Sequence, residues 1–184
     1  NGWKEEIGSF SQAYDNLALD SSLLLMEPYG FIEATDPRYS RTVRAVKEAL
    51  LHDGLMYRYN SEDDFGMPAS AFTICTFWLI RALFVIGERE EARRLFDGVL
   101  RCANHVGLFS EDIDFDTKEL LGNFPQAYSH LALYDAAGRR AFAAEVRIAP
   151  TAPAVVDLSS LGGGTYTIEL RYEGGSLTRS IVKL

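Results

Sequence analysis

Hydrophobic residues recur with a helical period over most of residues 1–138. Residues 37–51 carry their apolar side chains on one stripe, as expected for a helix with one buried face. Residues 70–86 are apolar on nearly every side, which is typical of an inner helix. Residues 88–103 instead combine a charged face with an apolar face, which is typical of an outer helix. This pair predicts layers of helices packed on each other.

The sequence also marks the starts of two helices and predicts one more helix near the N-terminus. Asp36 offers a capping oxygen, and Pro37 supplies a preset φ at the first helical position. Gln126 follows Pro125 at the expected start of the next inner helix. Residues 18–26 place apolar side chains at helical spacing and predict a helix of their own. We therefore expect about five helices in this part of the chain.

After the last predicted helix the hydrophobic period changes to two, which is the period of a β-strand. The alternation runs over residues 142–158 and 165–171, and the sequence at 173–176 is typical of a hairpin turn. We therefore predict a mainly α domain at residues 1–138. A small antiparallel β unit follows at residues 139–184.

Composition narrows the class of protein. The chain has 184 residues, of which 47% are hydrophobic and 24% charged, and these values are typical of a globular protein. The net charge of -8, without a basic stripe, argues against nucleic-acid binding. No apolar run is long enough to span a bilayer, and residues 1–20 show no export signal. Cys75 and Cys102 lie in apolar helical patterns, so we expect buried free thiols rather than a disulfide.

The acidic run Asp112, Asp114 and Asp116 invites a calcium interpretation. A calcium-binding EF-hand loop needs glycine at its sixth position and glutamate at its twelfth. Counting from Asp112, those positions hold Thr117 and Asn123. The chain also has no cluster of cysteine and histidine suited to zinc. We therefore predict neither a metal site nor a cofactor.

Several motifs occur in an order that carries more information than any one of them alone. They are GSFSQAY at 8–14, LMYRY at 55–59, DDFG at 63–66, FWL at 77–79, SEDID at 110–114 and GNFPQA at 122–127. With these motifs, residues 2–134 resemble the C-terminal half of the catalytic domain of glycoside hydrolase family 15, the glucoamylase and trehalase-like enzymes. The resemblance implies a partial (α/α)6 toroid for the helical part.

The resemblance also implies an inverting, exo-acting hydrolase of α-glucosides. Inversion needs one carboxylic acid to protonate the leaving oxygen and one carboxylate to activate a water on the other face of the sugar. Glu111 matches the general base of the family. The general acid belongs to a part of the family's domain that precedes residue 1, so we expect the chain to be inactive alone. It would then be a fragment, a fusion product or a subunit completed by another chain.

Four further residues match substrate-binding positions of the family or suit sugar binding. Arg58 lies between two tyrosines and matches a residue that contacts the sugar at the cleavage subsite. Phe72 matches an aromatic residue suited to stacking on a sugar. Asp64 and Gln126 are candidates for hydrogen bonds to substrate. The expected ligand is an oligosaccharide or disaccharide, which the sequence does not resolve among starch-like, isomaltose-like and trehalose substrates.

The tail leaves the compartment open. Residues 157–166 and 180–184 resemble the end of a C-terminal sorting domain of secreted Bacteroidetes proteins, whereas the helical part favours a cytoplasmic location. A generic β-sandwich edge, or strands completed by a partner, would fit the same residues. The alternative function is a non-catalytic helical scaffold with a β attachment module. The sequence shows no repeat at about 34 residues, which argues against a helical solenoid.

Overall fold

The computed structural model describes residues 2–64, 66–138, 164–172 and 175–183, the last two ranges through their backbone. By the clustering of its contacts the chain divides into two compact units, residues 1–139 and 140–184. The first unit holds all the α-helices of the described residues, together with several very short strands.

The described residues form four α-helices: α1 (Pro37–Leu50), α2 (Thr73–Val85), α3 (Arg89–Leu100) and α4 (Ala127–Gly138). The start of α1 is confirmed, because Asp36 Oδ1 accepts the backbone N–H of Arg38 at 2.8 Å and Pro37 is the first helical residue. The starts predicted for the other helices lie within three residues of the observed ones.

The helix predicted at residues 18–26 is shorter and tighter than expected. Ser21–Leu25 form a 3-10 helix, so the described residues reach five helices only if this turn is counted. Its start is fixed by Asp20, which accepts the backbone N–H of Ser22 at 2.6 Å. Gly30, in the left-handed region at φ 73°, lies soon after its end. An α-helix of so few residues would have only marginal stability on its own.

Very short antiparallel strands link the helices. They are β1 (Trp3–Lys4) with β2 (Ser9–Phe10), β3 (Leu51–His52) with β4 (Leu55–Met56), and a sheet of β5 (Ser70–Phe72), β6 (Asp112–Asp114) and β7 (Leu120–Leu121). The sequence pattern assigned residues 70–72 to the start of a helix. The structure corrects this, because these three residues pair with β6 before α2 begins.

Helix α2 is the centre of the first unit. It packs against α3, α4 and the 3-10 helix, and side chains from all its faces are buried, including Cys75, Phe77 and Leu83. A helix that is apolar on every side needs such cover, which explains its composition.

The second unit contains a β-hairpin among its described residues. Strand β8 (Gly164–Tyr172) pairs antiparallel with β9 (Gly175–Lys183), in a register that runs from Gly164 opposite Lys183 to Tyr172 opposite Gly175. The predicted hairpin is confirmed. The strand pattern predicted over residues 142–158, and two residues of the predicted turn, lie outside the described residues.

A search of the described residues for a helix with the length and apolar character to cross a membrane finds none.

Candidate active site

Glu111 lies in the loop that precedes β6, and its backbone is held from two sides. Its N–H donates to the carbonyl of Asn123 at 2.9 Å, and its own carbonyl accepts the N–H of Thr73 at 2.9 Å. Thr73 is the first residue of α2. Residue 111 is therefore fixed between the start of the central helix and the segment that leads into α4.

The carboxylate of Glu111 is anchored at one oxygen. Asn123 donates to Oε2 from its side-chain amide at 2.8 Å and from its backbone N–H at 3.3 Å. The side chain leans on Gly122, where an added Cβ would lie 3.0 Å from Oε2 and 3.2 Å from the Cβ of Glu111. Both hydrogen bonds that the described residues give this carboxylate use Oε2. The other oxygen, Oε1, is thus left for a further donor such as water.

We predict that Gly122→Ala disrupts this anchor. Gly122 has φ 72°, where an L side chain costs about 1–2 kcal/mol, and the new methyl group would also press on Glu111. The matched control is Gly107→Ala, because Gly107 has φ 80° and nothing within 4 Å of an added Cβ. We expect Gly122→Ala to lower the free energy of unfolding by roughly 1–2 kcal/mol more than the control does. It should also shift the side-chain amide NMR signal of Asn123. Equal losses with an unchanged Asn123 signal would contradict the contact.

Asp112 follows Glu111 and is half-buried. Burial, and to a smaller extent the neighbouring charge of Glu111, raise the pKa of its carboxyl group to about 6, while a hydrogen bond from Ser70 opposes both effects. In the sheet, Asp112 lies directly opposite Phe72. In the sequence Asp112 belongs only to the acidic run that fails the calcium pattern, and no sequence signal indicated its burial.

Arg58 is fixed by an acid that the sequence analysis did not single out. Its Nε donates to both carboxylate oxygens of Asp20, at 2.8 and 2.9 Å, and its guanidinium carbon lies 6.0 Å from the ring centre of Trp78. Arg58 and Asp20 line an open cleft of about 450 Å³ together with Tyr59. The aromatic partner of Arg58 is thus Trp78 from α2.

The first turn of α2 contacts both the segment that leads to Arg58 and the segment of Glu111. Cys75 lies in the first turn of α2, and burial raises the pKa of its thiol to about 12. The positive charge of Arg58 lowers this pKa, and the negative charges of Asp20 and Asp112 raise it. Two hydrogen bonds place both segments at this turn, because the N–H of Met56 donates to Thr76 Oγ1 at 3.0 Å and the N–H of Thr73 donates to the carbonyl of Glu111 at 2.9 Å.

The other predicted site residues divide into two sets. Phe72 is half-buried beside Asp112, and Gln126 donates its backbone N–H to the carbonyl of Phe109 at 3.0 Å, two residues before Glu111. Asp64 is exposed in the turn closed by Asp63 and Gly66. The cleft beside Arg58 is lined by Asp63 rather than by Asp64, and its lining includes neither Glu111 nor Phe72 nor Gln126.

The acidic run after Glu111 folds into a turn. Asp114 Oδ1 accepts the backbone N–H groups of Asp116 at 3.0 Å and of Thr117 at 2.8 Å, and the hydroxyl of Thr117 at 3.0 Å. The two groups of Thr117, with the N–H of Asp116, hold the pKa of Asp114 below its usual value. Within the part of the chain that the structure describes, no three metal-binding side chains come together.

The decisive comparison is with protein families. Residues 2–138 match the family described as Glycosyl hydrolases family 15. The chain belongs to this family. The match covers the first unit up to the last residue of α4.

Several relatives in family 15 are trehalases. The chain is 43% identical over 132 residues to a trehalase of Mycobacterium tuberculosis, a stretch that covers 70% of this chain and 19% of that protein. It is 45% identical over 132 residues to a trehalase of Mycolicibacterium smegmatis, which covers 70% and 20%. A trehalase of Thermoplasma acidophilum is 39% identical over 134 residues, which covers 72% and 23%. The chain thus spans about a fifth of the length of these trehalases.

Solved structures of glycosidases share the fold. A wild-type glycosidase superposes with a TM-score of 0.59 at 22% sequence identity, over 75% of this chain and 40% of the other. A glycosidase variant in complex with glucose gives a TM-score of 0.62 at 20% identity, over the same shares of the two chains. The family-15 part of this chain therefore has the fold of two fifths of a glycosidase chain.

Proposed function

We propose that the first unit is the part of an inverting, exo-acting glycoside hydrolase that supplies the general base, Glu111. The observation that carries the proposal is the anchoring of Oε2 by Asn123, which leaves Oε1 to polarise a water. A general base must be oriented toward the proton that it removes, and a carboxylate held at one oxygen meets that requirement. The trehalases among the relatives support an α-linked glucose disaccharide such as trehalose as the substrate.

Arg58 is proposed as the residue that binds the sugar at the cleavage subsite. Asp20 engages its Nε, which holds the guanidinium group in one position in the wall of the open cleft. Phe72, Asp64 and Gln126 are proposed to contact other parts of the substrate. A purely scaffolding role would give no reason for Glu111 to be held by Asn123 or for an uncompensated acid to be buried next to it.

The general acid is proposed to come from the remaining part of the family's domain, on the same polypeptide or on another one. The outer side of α4 supports this view. Tyr128, Leu131 and Tyr134 share that side at spacings of three residues, and they are 65%, 65% and 63% exposed. A contiguous apolar face of this kind marks an interaction surface. We propose that the missing part of a closed (α/α)6 toroid covers it.

Residues 139–184 are proposed to form a separate β module with a role in attachment or sorting. The regular pairing of β8 and β9 supports an independent hairpin-based module. Its resemblance to a sorting domain depends on sequence alone.

The experiment that tests the proposal is reconstitution. The full chain is co-expressed with the part of the Mycolicibacterium smegmatis trehalase that lies outside its matching 132 residues, and glucose release from trehalose is measured. We expect the full chain alone to release no glucose and the reconstituted enzyme to release it. The trehalase part expressed alone is the control. Activity of the chain alone would contradict the proposed absence of the acid, and activity of the trehalase part alone would remove the need for this chain.

The same experiment tests the surface of α4. Leu131→Asp should weaken the assembly, because it places a charge in the proposed interface. Val106→Asp is the matched control, since Val106 is 63% exposed and lies outside α4. Size-exclusion chromatography with light scattering measures the assembled fraction. Equal assembly of the two variants would contradict the proposed interface.

A further inference from the structure

The sheet beside Glu111 has one face in the core and one face outside it. Ala71 and Ile113 lie opposite each other in β5 and β6, and both are fully buried. The next pair, Phe72 and Asp112, is also directly opposed and therefore lies on the other face, with the two Cβ atoms about 4.5–5.5 Å apart. Both residues of this second pair are half-buried. An aromatic ring and a carboxyl group thus stand side by side, next to Glu111.

The carboxyl group of Asp112 lacks the compensation that a buried acid needs. It accepts a hydrogen bond from Ser70, and no lysine or arginine in the described part of the chain forms an ion pair with it. Its chain neighbour Glu111 is a second acid, and burial with this charge raises the pKa of Asp112 to about 6. An ionised carboxylate has about four acceptor positions, so one donor leaves most of them unused. A site with further hydrogen-bond donors would satisfy it.

The position of Asp112 indicates which ligand supplies those donors. The N–H of Met56, two residues before Arg58, donates to Thr76 Oγ1 at 3.0 Å, and the carbonyl of Glu111, next to Asp112, accepts the N–H of Thr73 at 2.9 Å. Both segments therefore approach the first turn of α2. An anionic ligand would meet repulsion from Glu111, Asp112 and Asp20 around a single arginine. A neutral sugar has apolar C–H groups for an aromatic ring and hydroxyl groups for a carboxylate.

We propose that Asp112 is a substrate-binding residue that accepts hydrogen bonds from hydroxyl groups of the glucose unit bound between Glu111 and Arg58. This assignment rests on the proposed function, and it adds a sugar contact to the same site. Phe72, directly opposite in the sheet, covers an apolar face of the same ligand. The hydroxyl groups of the substrate thereby stabilise the carboxylate of Asp112, which has no cation as its partner.

The direct test is an NMR titration of the full chain with 13C-labelled aspartate, with glucose as the probe. Hydroxyl donors favour the charged form of a carboxylate, so glucose should lower the pKa of Asp112 by about one unit. Asp114 is the internal control, because the turn at Thr117 already supplies its donors. A titration of Asp112 that does not change at glucose concentrations up to about 0.1 M, the weak end of specific binding, would overturn the proposal.

A pair of variants provides the second measurement. Asp112→Asn should weaken glucose binding about tenfold, since a hydrogen bond to a charged group is lost, whereas Asp114→Asn should leave it within twofold. The signal of the Trp78 indole next to Arg58 follows binding in each variant, and the two unfolding curves show that both proteins are folded. Equal glucose affinity of Asp112→Asn and the wild-type chain would refute the contact.

The outcome is separable from that of the proposed function. The role of Glu111 is measured by turnover in the reconstituted enzyme, whereas the role of Asp112 is measured by glucose binding to the chain itself. Loss of turnover in Glu111→Gln with unchanged binding in Asp112→Asn would overturn only the role of Asp112. Full turnover in Glu111→Gln with weakened binding in Asp112→Asn would overturn only the role of the base.

Discussion

Replacing Glu111 by glutamine is expected to lower the kcat of the reconstituted enzyme by about 10²- to 10⁴-fold, the usual contribution of a general base. Glutamine has nearly the same shape and can still accept a hydrogen bond from the side chain of Asn123, so the loop should keep its structure. What it lacks is a basic oxygen in the place of Oε1. The KM for trehalose should therefore change much less than kcat.

The control for this variant is Glu119→Gln. Glu119 is an exposed acid eight residues further along the chain, and its replacement changes the net charge by the same amount. We expect it to retain at least half of the activity. Initial rates of glucose release for both variants test this expectation, and circular dichroism verifies that both variants are folded. More than a tenth of wild-type kcat in Glu111→Gln would exclude Glu111 as the base.

The parts of the fold that depend on local signals were predictable from the sequence. The start of α1 follows from Asp36 and Pro37, and the charged and apolar faces of α3 appear directly in the sequence. The hairpin of β8 and β9 follows from period-two alternation around a glycine-rich turn. Each of these features needs only residues that are close together in the chain.

The strands next to the site were not predictable in the same way. Strands β5, β6 and β7 have two or three residues each, too few to show a period. They form because the loop after α3 passes beside the start of α2. This contact joins distant parts of the chain and depends on the tertiary structure. The opposition of Phe72 and Asp112 depends on this pairing, so from the sequence Phe72 was a candidate for sugar stacking and nothing placed Asp112 beside it.

Ion pairs between distant segments could not be predicted from the sequence either. Asp20 and Arg58 are 38 positions apart, and in the structure Asp20 both caps the 3-10 helix and pairs with Arg58. Arg81 stands in a helix that the pattern describes as apolar on every side. Its charge is accommodated only because Glu27 and Asp135 approach it from other elements.

Arg81 is the position where a single substitution should cost the most stability. The side chain is 2% exposed, and its Nη2 lies 2.6 Å from Glu27 Oε2 while its Nε lies 2.8 Å from Asp135 Oδ2. Both contacts are short-range ion pairs. We expect Arg81→Met to lower the free energy of unfolding by about 3–5 kcal/mol, because it leaves the partly buried acid Glu27 without its cation.

Urea unfolding followed by tryptophan fluorescence measures this loss in the first unit alone, since Trp3 and Trp78 both belong to it. Asp135→Asn is the matched control and should cost about 1 kcal/mol or less, because the side chain of Asp135 is 50% exposed. The double variant Arg81→Met with Glu27→Met should regain at least half of the loss, since apolar side chains of similar length then fill the same space. If the double variant were as unstable as Arg81→Met alone, the cost would come from packing around residue 81 and not from the unpaired charge of Glu27.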